Sequence, residues 1–180
     1  MSVSVRPARA GDVPAILAIY NASVATSTAS WDLAPQSLAD RQSWFERRAR
    51  LGQAVLVAEE DGRVLGWGSW GTFREKAGYD RTMEHTLYVA EVARGRGLGR
   101  LLLGAIVDTA RAAGVHVLVG VLSHENEVSQ RLHESFGFRE VGRLPQAGAK
   151  FGRWLDMVIL QLTLDDAPAP ATPGRTPPNR

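Results

Sequence analysis

The spacing of apolar residues changes period several times along the chain, and each change predicts a new secondary-structure element. Residues 2–7 alternate apolar and polar positions as a short strand does. Apolar residues then recur at helical spacing from Asp12, an N-cap candidate, to Tyr20, and a second helix is predicted over residues 37–51. The chain therefore opens with a strand and two helices.

Strands dominate the next segment. Residues 54–58 and 64–70 are β-rich and flank an Asp61-Gly62 pair, which is typical of a tight hairpin. The remaining pattern predicts strands over 82–89, 115–122, 138–143 and 154–164, and helices over 98–113 and 126–136. The resulting order, β-α-α-β-β-β-α-β-α-β-β, indicates an α/β fold with a mixed sheet and helices on both faces.

Length and composition indicate one domain with an extension. The chain has 180 residues, which suits a single domain over residues 1–164. Residues 165–180 hold a run of prolines and small residues with nothing to anchor a core, so we expect a disordered tail.

Charge and cysteine content exclude several function classes. The formal net charge is only +2, which argues against nucleic acid as a partner. No apolar run approaches a membrane span, and the N-terminal stretch lacks the apolar core of a signal peptide, so we expect a cytoplasmic protein with no membrane partner. With Cys 0, disulfides and a cysteinyl acyl-enzyme are excluded. No His/Asp/Glu cluster has metal-ligand spacing, so we expect no metal.

The most informative stretch is a glycine-rich loop between a predicted strand and a predicted helix. Gly95, Gly97 and Gly99 occupy alternate positions directly before and inside the first helical turn. Glycine lets the backbone approach a ligand closely, and the free N–H groups of a helix N-terminus bind anions. The loop is suited to a pyrophosphate, although its spacing matches neither the dinucleotide fingerprint nor a P-loop.

Two motifs in this region resemble the GNAT acetyltransferase superfamily. Arg94, Gly97 and Gly99 match its Arg/Gln-x-x-Gly-x-Gly/Ala cofactor motif, and residues 126–138 resemble its Asn-x-x-Ala/Ser-x-x-Leu-Tyr-x-x-x-Gly-Phe helix. The resemblance implies a mostly antiparallel GNAT sheet and acetyl-CoA as the acetyl donor. It also implies that the Val89 backbone N–H donates to the thioester oxygen. The implied cofactor-binding residues are Leu87, Tyr88, Val89, Arg94, Gly95, Arg96, Gly97, Leu98, Gly99, Arg100 and Asn126.

Two further stretches, residues 83–89 (MEHTLYV) and 150–156 (KFGRWLD), resemble the phosphinothricin and methionine sulfoximine N-acetyltransferase group. The resemblance places substrate recognition before and around Glu84. A guanidinium at Arg74 can clamp an α-carboxylate bidentately, although a solvated loop arginine is the alternative. Trp31, Tyr79 and Trp154 are candidates for the wall of an apolar pocket or for the core. The implied substrate-binding set is Phe73, Arg74, Glu75, Lys76, Met83, Glu84 and His85, and the group implies a homodimer.

Candidate catalytic side chains follow from the same comparison. Glu84 shares a strand face with Tyr88, and in the resembling group this glutamate is the proposed general base; a surface ion pair is the alternative. His133 stands where the superfamily often has a tyrosine that protonates the thiolate, so it is either that acid or a packing residue. His85 points to the opposite face of a regular strand, which favours a structural or substrate-side role over a base.

The expected function is direct acetyl transfer to the α-amine of a small amino-acid-like compound such as phosphinothricin, methionine sulfoximine or methionine sulfone, as a detoxification. Two alternatives stay open. In the first, the acceptor is another amine, such as a peptide N-terminus, polyamine or aminoglycoside. In the second, the protein is a non-catalytic acyl-CoA sensor, which has no need of Glu84.

Overall fold

Seven strands build the core of the computed structural model, which describes residues 3–167. They are β1 (Ser4–Pro7), β2 (Val55–Glu60), β3 (Arg63–Thr72), β4 (Thr82–Val89), β5 (Val117–Ser123), β6 (Arg139–Lys150) and β7 (Arg153–Thr163). They form one sheet in the order β1-β2-β3-β4-β5-β7-β6. Neighbouring strands run antiparallel except β4 and β5, which run parallel. The predicted mixed, mostly antiparallel sheet is confirmed.

Four α-helices cover the two faces of the sheet, as predicted: α1 (Val13–Thr26), α2 (Leu38–Arg50), α3 (Leu98–Ala112) and α4 (Glu127–Glu134). Helix α2 begins where the Ser37 side chain accepts a hydrogen bond from the Asp40 N–H, and α4 begins at Asn126 in the same way. None of the helices within residues 3–167 is long and apolar enough to cross a bilayer.

The alternation of side chains along the strands decides which helix packs on which face. Val57 and Trp67 belong to one buried cluster with residues of α1, and Trp44 of α2 packs against it. Leu56 and Trp70 belong to the cluster on the other face, together with the apolar side of α3. Strands β2 and β3 are therefore buried on both sides over most of their length.

The predicted hairpin is present, whereas two strand limits differ from the sequence pattern. Asp61 and Gly62 both have positive φ, 51° and 77°, as the tight turn between β2 and β3 requires. Strand β5 begins at Val117 rather than residue 115. Strand β6 continues well beyond residue 143, because irregularities between Leu144 and Gly148 accommodate Pro145, which has no N–H for the ladder.

The predicted tail lies mostly outside the described residues. The Asp165 carboxylate accepts hydrogen bonds from Arg81 Nη2 (2.9 Å) and lies 2.6 Å from His116 Nδ1. These contacts attach the chain just after β7 to the end of the sheet where β4 and β5 begin.

Candidate active site

Strand β4 has one half that no other strand covers on the β5 side. It pairs with β5 only from Thr82 to His85, whereas it pairs with β3 as far as Val89. The Ala90 N–H donates to the Leu65 carbonyl on the β3 side at 2.8 Å. Because successive N–H groups of an extended strand point in opposite directions, the Val89 N–H points to the open side. The free edge can therefore hydrogen-bond an extended ligand as an added strand would.

The glycine loop lies at the end of this free edge. Gly95 and Gly97 have φ values of 74° and 82°, a region that side chains other than glycine rarely adopt. Gly97 is the N-cap of α3, a helix of 15 residues, and contributes no side chain to the cap. The first two N–H groups of α3, those of Leu98 and Gly99, have no backbone partner, and together with the helix dipole they form an anion site.

A cleft of about 450 Å³ joins the open edge of β4 to this anion site. It brings together most of the predicted cofactor residues: Leu87, Tyr88, Val89, Arg94, Gly95, Gly97, Leu98, Gly99 and Asn126. The cleft is also lined by the end of α1 and the loop after it, through Ser23, Ser27, Thr28 and Ala29, for which no cofactor-binding role was predicted. An elongated molecule with an anionic end, such as acetyl-CoA, fits this combination.

Three predicted cofactor residues have specific partners within the protein. Arg96 Nη2 donates to Glu60 Oε1 at 2.6 Å, and Arg100 Nη1 donates to the Ser135 hydroxyl at 3.2 Å. The structure therefore brings neither predicted residue, Arg96 or Arg100, into the lining of the cleft. Asn126 Oδ1 accepts from the Ser129 N–H at 3.2 Å, which leaves the side-chain amide nitrogen available on the cleft side.

Glu84 lies on the face of β4 that α1 and α2 cover, as Tyr88 does. Burial raises the pKa of the Glu84 carboxyl above its ordinary value, and the guanidinium groups of Arg74 and Arg48 partly oppose that shift. Glu84 does not itself line the cleft, but a partly buried carboxylate with a raised pKa has the properties of a general base.

Met83 and His85 point away from Glu84, into the interior. Met83 packs against the cluster that includes α3, and only 6% of His85 is exposed. The structure therefore does not bring these two predicted substrate-binding side chains to the acceptor side of β4. Strict alternation along the strand is the physical reason.

His85 and His133 form a buried pair under the sheet. Their rings stack with centroids 5.0 Å apart, and their Nε2 atoms are 3.2 Å apart. His133 Nδ1 lies 2.6 Å from the Ser129 carbonyl oxygen, which can only accept, so Nδ1 carries the proton. Burial lowers the pKa of both imidazoles. With both nitrogens of His133 engaged, the geometry favours the packing alternative over proton donation to the thiolate.

The loop between β3 and β4 carries the other predicted substrate residues. Phe73 and Tyr79 contact each other edge to face, with ring centroids 5.8 Å apart. The Arg74 guanidinium lies 4.5 Å from the Phe73 ring centre and is near enough to Glu84 to affect its pKa. Glu75 and Lys76 are exposed on the same loop. The loop thus presents one guanidinium toward the candidate base.

The other aromatic candidates lie apart. Trp31 packs on Gly148 of β6, where an added Cβ would lie 2.3 Å from its ring, and Trp154 is 66% exposed on β7. Among residues 3–167, no group of three His, Asp or Glu side chains is arranged to hold a metal ion.

Two arginines of α2 lie on the acceptor side of β4, although neither was among the predicted site residues. Arg41, only 3% exposed, has its Cζ 4.2 Å from the ring centre of Tyr20 and 4.8 Å from that of Trp44. It lines a second pocket of about 400 Å³ together with Thr86 and Tyr88 of β4. Arg48, farther along α2, lies near Glu84. The acceptor side of β4 is therefore richer in cations than the sequence suggested.

Comparison with known proteins agrees with this geometry. Residues 16–138 match the acetyltransferase (GNAT) family model. The chain is 48% identical to the L-methionine sulfoximine/L-methionine sulfone acetyltransferase of Pseudomonas aeruginosa, over 92% of this chain and 96% of that protein.

Two solved structures are also similar. A GNAT superfamily phosphinothricin acetyltransferase from Sinorhizobium meliloti, in complex with acetyl-CoA, superposes with a TM-score of 0.91 at 31% identity, covering 98% of this chain and 97% of that one. A ribosomal-protein-alanine N-acetyltransferase from Brucella melitensis superposes with a TM-score of 0.88 at 45% identity, covering 89% and 99%.

Proposed function

Since the chain belongs to the acetyltransferase (GNAT) family and is therefore an acetyl-CoA-dependent N-acetyltransferase, we propose that its acceptor is the α-amine of a small amino-acid-like compound. Methionine sulfoximine, methionine sulfone and phosphinothricin are the acceptors we expect, and their acetylation detoxifies them. The observation that carries the proposal is that the Arg74 guanidinium, on the loop between β3 and β4, is near enough to Glu84 to lower the pKa of its carboxyl, since this offers a carboxylate anchor in the neighbourhood of a base.

On the donor side, backbone groups do most of the binding. In the loop from Arg94 to Arg100, the N–H groups of residues 95–99 hold the pyrophosphate, since those of Arg94 and Arg100 donate to backbone carbonyls. The free edge of β4 at Leu87 and Val89 pairs with the pantetheine arm. The Val89 N–H donates to the thioester oxygen as negative charge develops there, a contact worth about 3 kcal/mol. The Asn126 amide nitrogen donates to the arm from α4.

On the acceptor side, Arg74 binds the α-carboxylate, and Phe73, Glu75 and Lys76 shape the surrounding loop. The α-amine then lies near Glu84, which accepts its proton through a water molecule before the nitrogen attacks the thioester carbon. The C–S bond then breaks, the nitrogen releases its second proton to solvent water, and the departing CoA thiolate takes a proton from water. The transfer is direct, because a chain with Cys 0 offers no thiol to carry the acetyl group.

We also propose that the enzyme acts in the cytoplasm. We further propose that two copies of the chain associate through the β6–β7 hairpin. Phe151 and Trp154 at this hairpin are 55% and 66% exposed, and Val141 and Leu144 of β6 are 56% and 43% exposed. Clustered apolar side chains of this kind are typical of protein contacts. Analytical ultracentrifugation of the wild type and of Trp154→Ser tests the association, and a wild-type monomer at micromolar concentration would refute it.

The decisive experiment follows CoA release across a panel of acceptors: methionine sulfone, methionine sulfoximine, phosphinothricin, spermidine, kanamycin and a peptide with N-terminal alanine. We expect turnover of the amino-acid analogues. Arg74→Gln should raise their KM about tenfold or more, as loss of a charge-assisted hydrogen bond does, without weakening acetyl-CoA binding. Turnover of polycations alone would refute the carboxylate clamp.

The same panel addresses the alternatives. The similarity to a ribosomal-protein-alanine N-acetyltransferase favours peptide N-termini as the second candidate, and exclusive turnover of the alanine peptide would establish it. Glu84→Gln should bind acetyl-CoA but lose turnover, whereas Glu46→Gln, at a side chain 69% exposed on α2, is the matched control and should stay active. A wild type that binds acetyl-CoA but acetylates no amine would be a sensor.

A further inference from the structure

Glu84 has no side chain beside it on the neighbouring strand β3, because its register partner there is Gly71. A Cβ added to Gly71 would lie 0.9 Å from Arg48 Nη1 and 2.1 Å from Arg48 Cζ. The guanidinium of Arg48 therefore fills the space that the missing side chain leaves. Gly71 does not have positive φ, so glycine is needed here for space rather than for backbone freedom.

Arg48 is held in this position by a short chain of hydrogen bonds. Its Nη1 donates to Gln53 Oε1 at 2.7 Å, and Gln53 Nε2 donates to Thr72 Oγ1 at 2.9 Å. The Gln53 N–H in turn donates to the Arg48 carbonyl at 2.9 Å, and the Trp44 ring lies 5.7 Å from the guanidinium. The side chain is thus fixed from the end of α2, from β3 and from an aromatic face.

The charge of Arg48 is not committed to an ion pair. Among the salt bridges within residues 3–167, none includes Arg48, and its Nε is buried without a hydrogen-bond partner. The charged groups that affect Glu84 are Arg74, from the loop after β3, and Arg48, from α2; Val119 is its neighbour on β5. Arg48 is therefore a fixed cation over Gly71, the register partner of Glu84, and is near enough to affect the pKa of Glu84.

Arg74 and Arg48 differ in whether a bound acceptor neutralises their charge. Arg74 lies on an exposed loop, and under the proposed function its charge is neutralised by the acceptor carboxylate. Arg48 is fixed and has no such ligand, so it is the cation that stays opposite Glu84 while the amine is bound.

We propose that Arg48 is a positioning residue for acetyl transfer, acting through Glu84: its guanidinium, seated in the space over Gly71, is the fixed cation that keeps Glu84 charged while the amine is bound. This inference rests on the proposed function through the role of Glu84 as the base and of Arg74 as the carboxylate anchor.

The test compares wild type, Arg48→Gln, Arg48→Lys and Gly71→Ala, with Arg50→Gln as the matched control at an exposed position of the same helix. The first measurement is the titration of the Glu84 carboxyl by carbon-13 NMR in the free protein, assigned with Glu84→Gln. Removing a nearby cation should raise the pKa of Glu84 by about half a unit or more. Gly71→Ala should act in the same direction, because its methyl group displaces the guanidinium, and Arg48→Lys should restore part of the effect.

The second measurement is the pH profile of kcat with methionine sulfone. Its acid limb should move to higher pH in Arg48→Gln and Gly71→Ala and stay in place in Arg50→Gln. A Glu84 titration unchanged in both Arg48→Gln and a folded Gly71→Ala would overturn the proposal. A wild type that acetylates no amino-acid analogue would refute the proposed function instead, and the NMR titration would still decide whether Arg48 controls the charge of Glu84.

Discussion

Replacing Gly97 by alanine separates backbone strain from ligand recognition, because the chain contains a matched glycine away from the site. Gly97 has φ 82° and Gly62 has φ 77°, and an added Cβ at either position meets no heavy atom within 4 Å. An L-residue in this left-handed region costs about 1 kcal/mol relative to glycine. Gly97→Ala and Gly62→Ala should therefore lower the free energy of unfolding by similar amounts.

Only the change at Gly97 should weaken acetyl-CoA binding. The methyl group would stand in the anion site at the start of α3, where each N–H contact with a charged phosphate contributes about 1.5–3 kcal/mol. Loss of one such contact corresponds to a tenfold to hundredfold higher Kd, at about 1.4 kcal/mol per factor of ten. Urea unfolding gives the stabilities and isothermal titration calorimetry gives Kd. Equal Kd values for the two variants would refute the assignment of the loop.

Three further predictions follow from side chains in and near the site. Because burial raises the pKa of Glu84 and the base must be ionised, kcat should fall as the pH drops through a value above the usual glutamate range, and a pH profile flat on the acid side would contradict the assignment. Burial lowers the pKa of His85 and His133 in the folded protein, so the unfolded chain binds more protons at mildly acidic pH and the free energy of unfolding should decrease below about pH 6.5. In thermal unfolding, His133→Phe should reduce this pH dependence, whereas replacement of the exposed His124 by Gln should leave it unchanged. Gly148→Ala should displace Trp31, whose ring lies 2.3 Å from the added Cβ, and a quenched or shifted tryptophan fluorescence should report it, while an unchanged spectrum would count against the contact.

The donor half of the site could be predicted from sequence because its determinants are local. The alternate glycines, the helix that follows and the N-cap Asn126 each act within a few residues, and the structure places them around one cleft. The same local rule, alternation along β4, also explains why Met83 and His85 lie on the opposite side from Glu84.

The acceptor half depends on contacts between distant parts of the chain. The placement of Arg48 over Gly71 requires the packing of α2 on β3, and the His85–His133 pair joins residues 48 positions apart. No periodicity or motif encodes such a contact. In the sequence, the arginines of α2 are typical of a solvent-exposed helix face. In the structure, the Arg41 guanidinium lies 5.3 Å from the ring centre of Trp67 on β3.

The segment after α1 connects two surfaces that have so far been described separately. Thr28 and Ala29 line the acetyl-CoA cleft, while the next residue, Ser30, accepts a hydrogen bond from Lys150 of β6 at 2.6 Å. The hairpin proposed to join two copies is thus tied directly to a wall of the cleft. Any difference that association makes to acetyl-CoA affinity must be matched by an equal effect of acetyl-CoA on association, since coupling free energies are reciprocal. The enzyme would then respond to its own concentration.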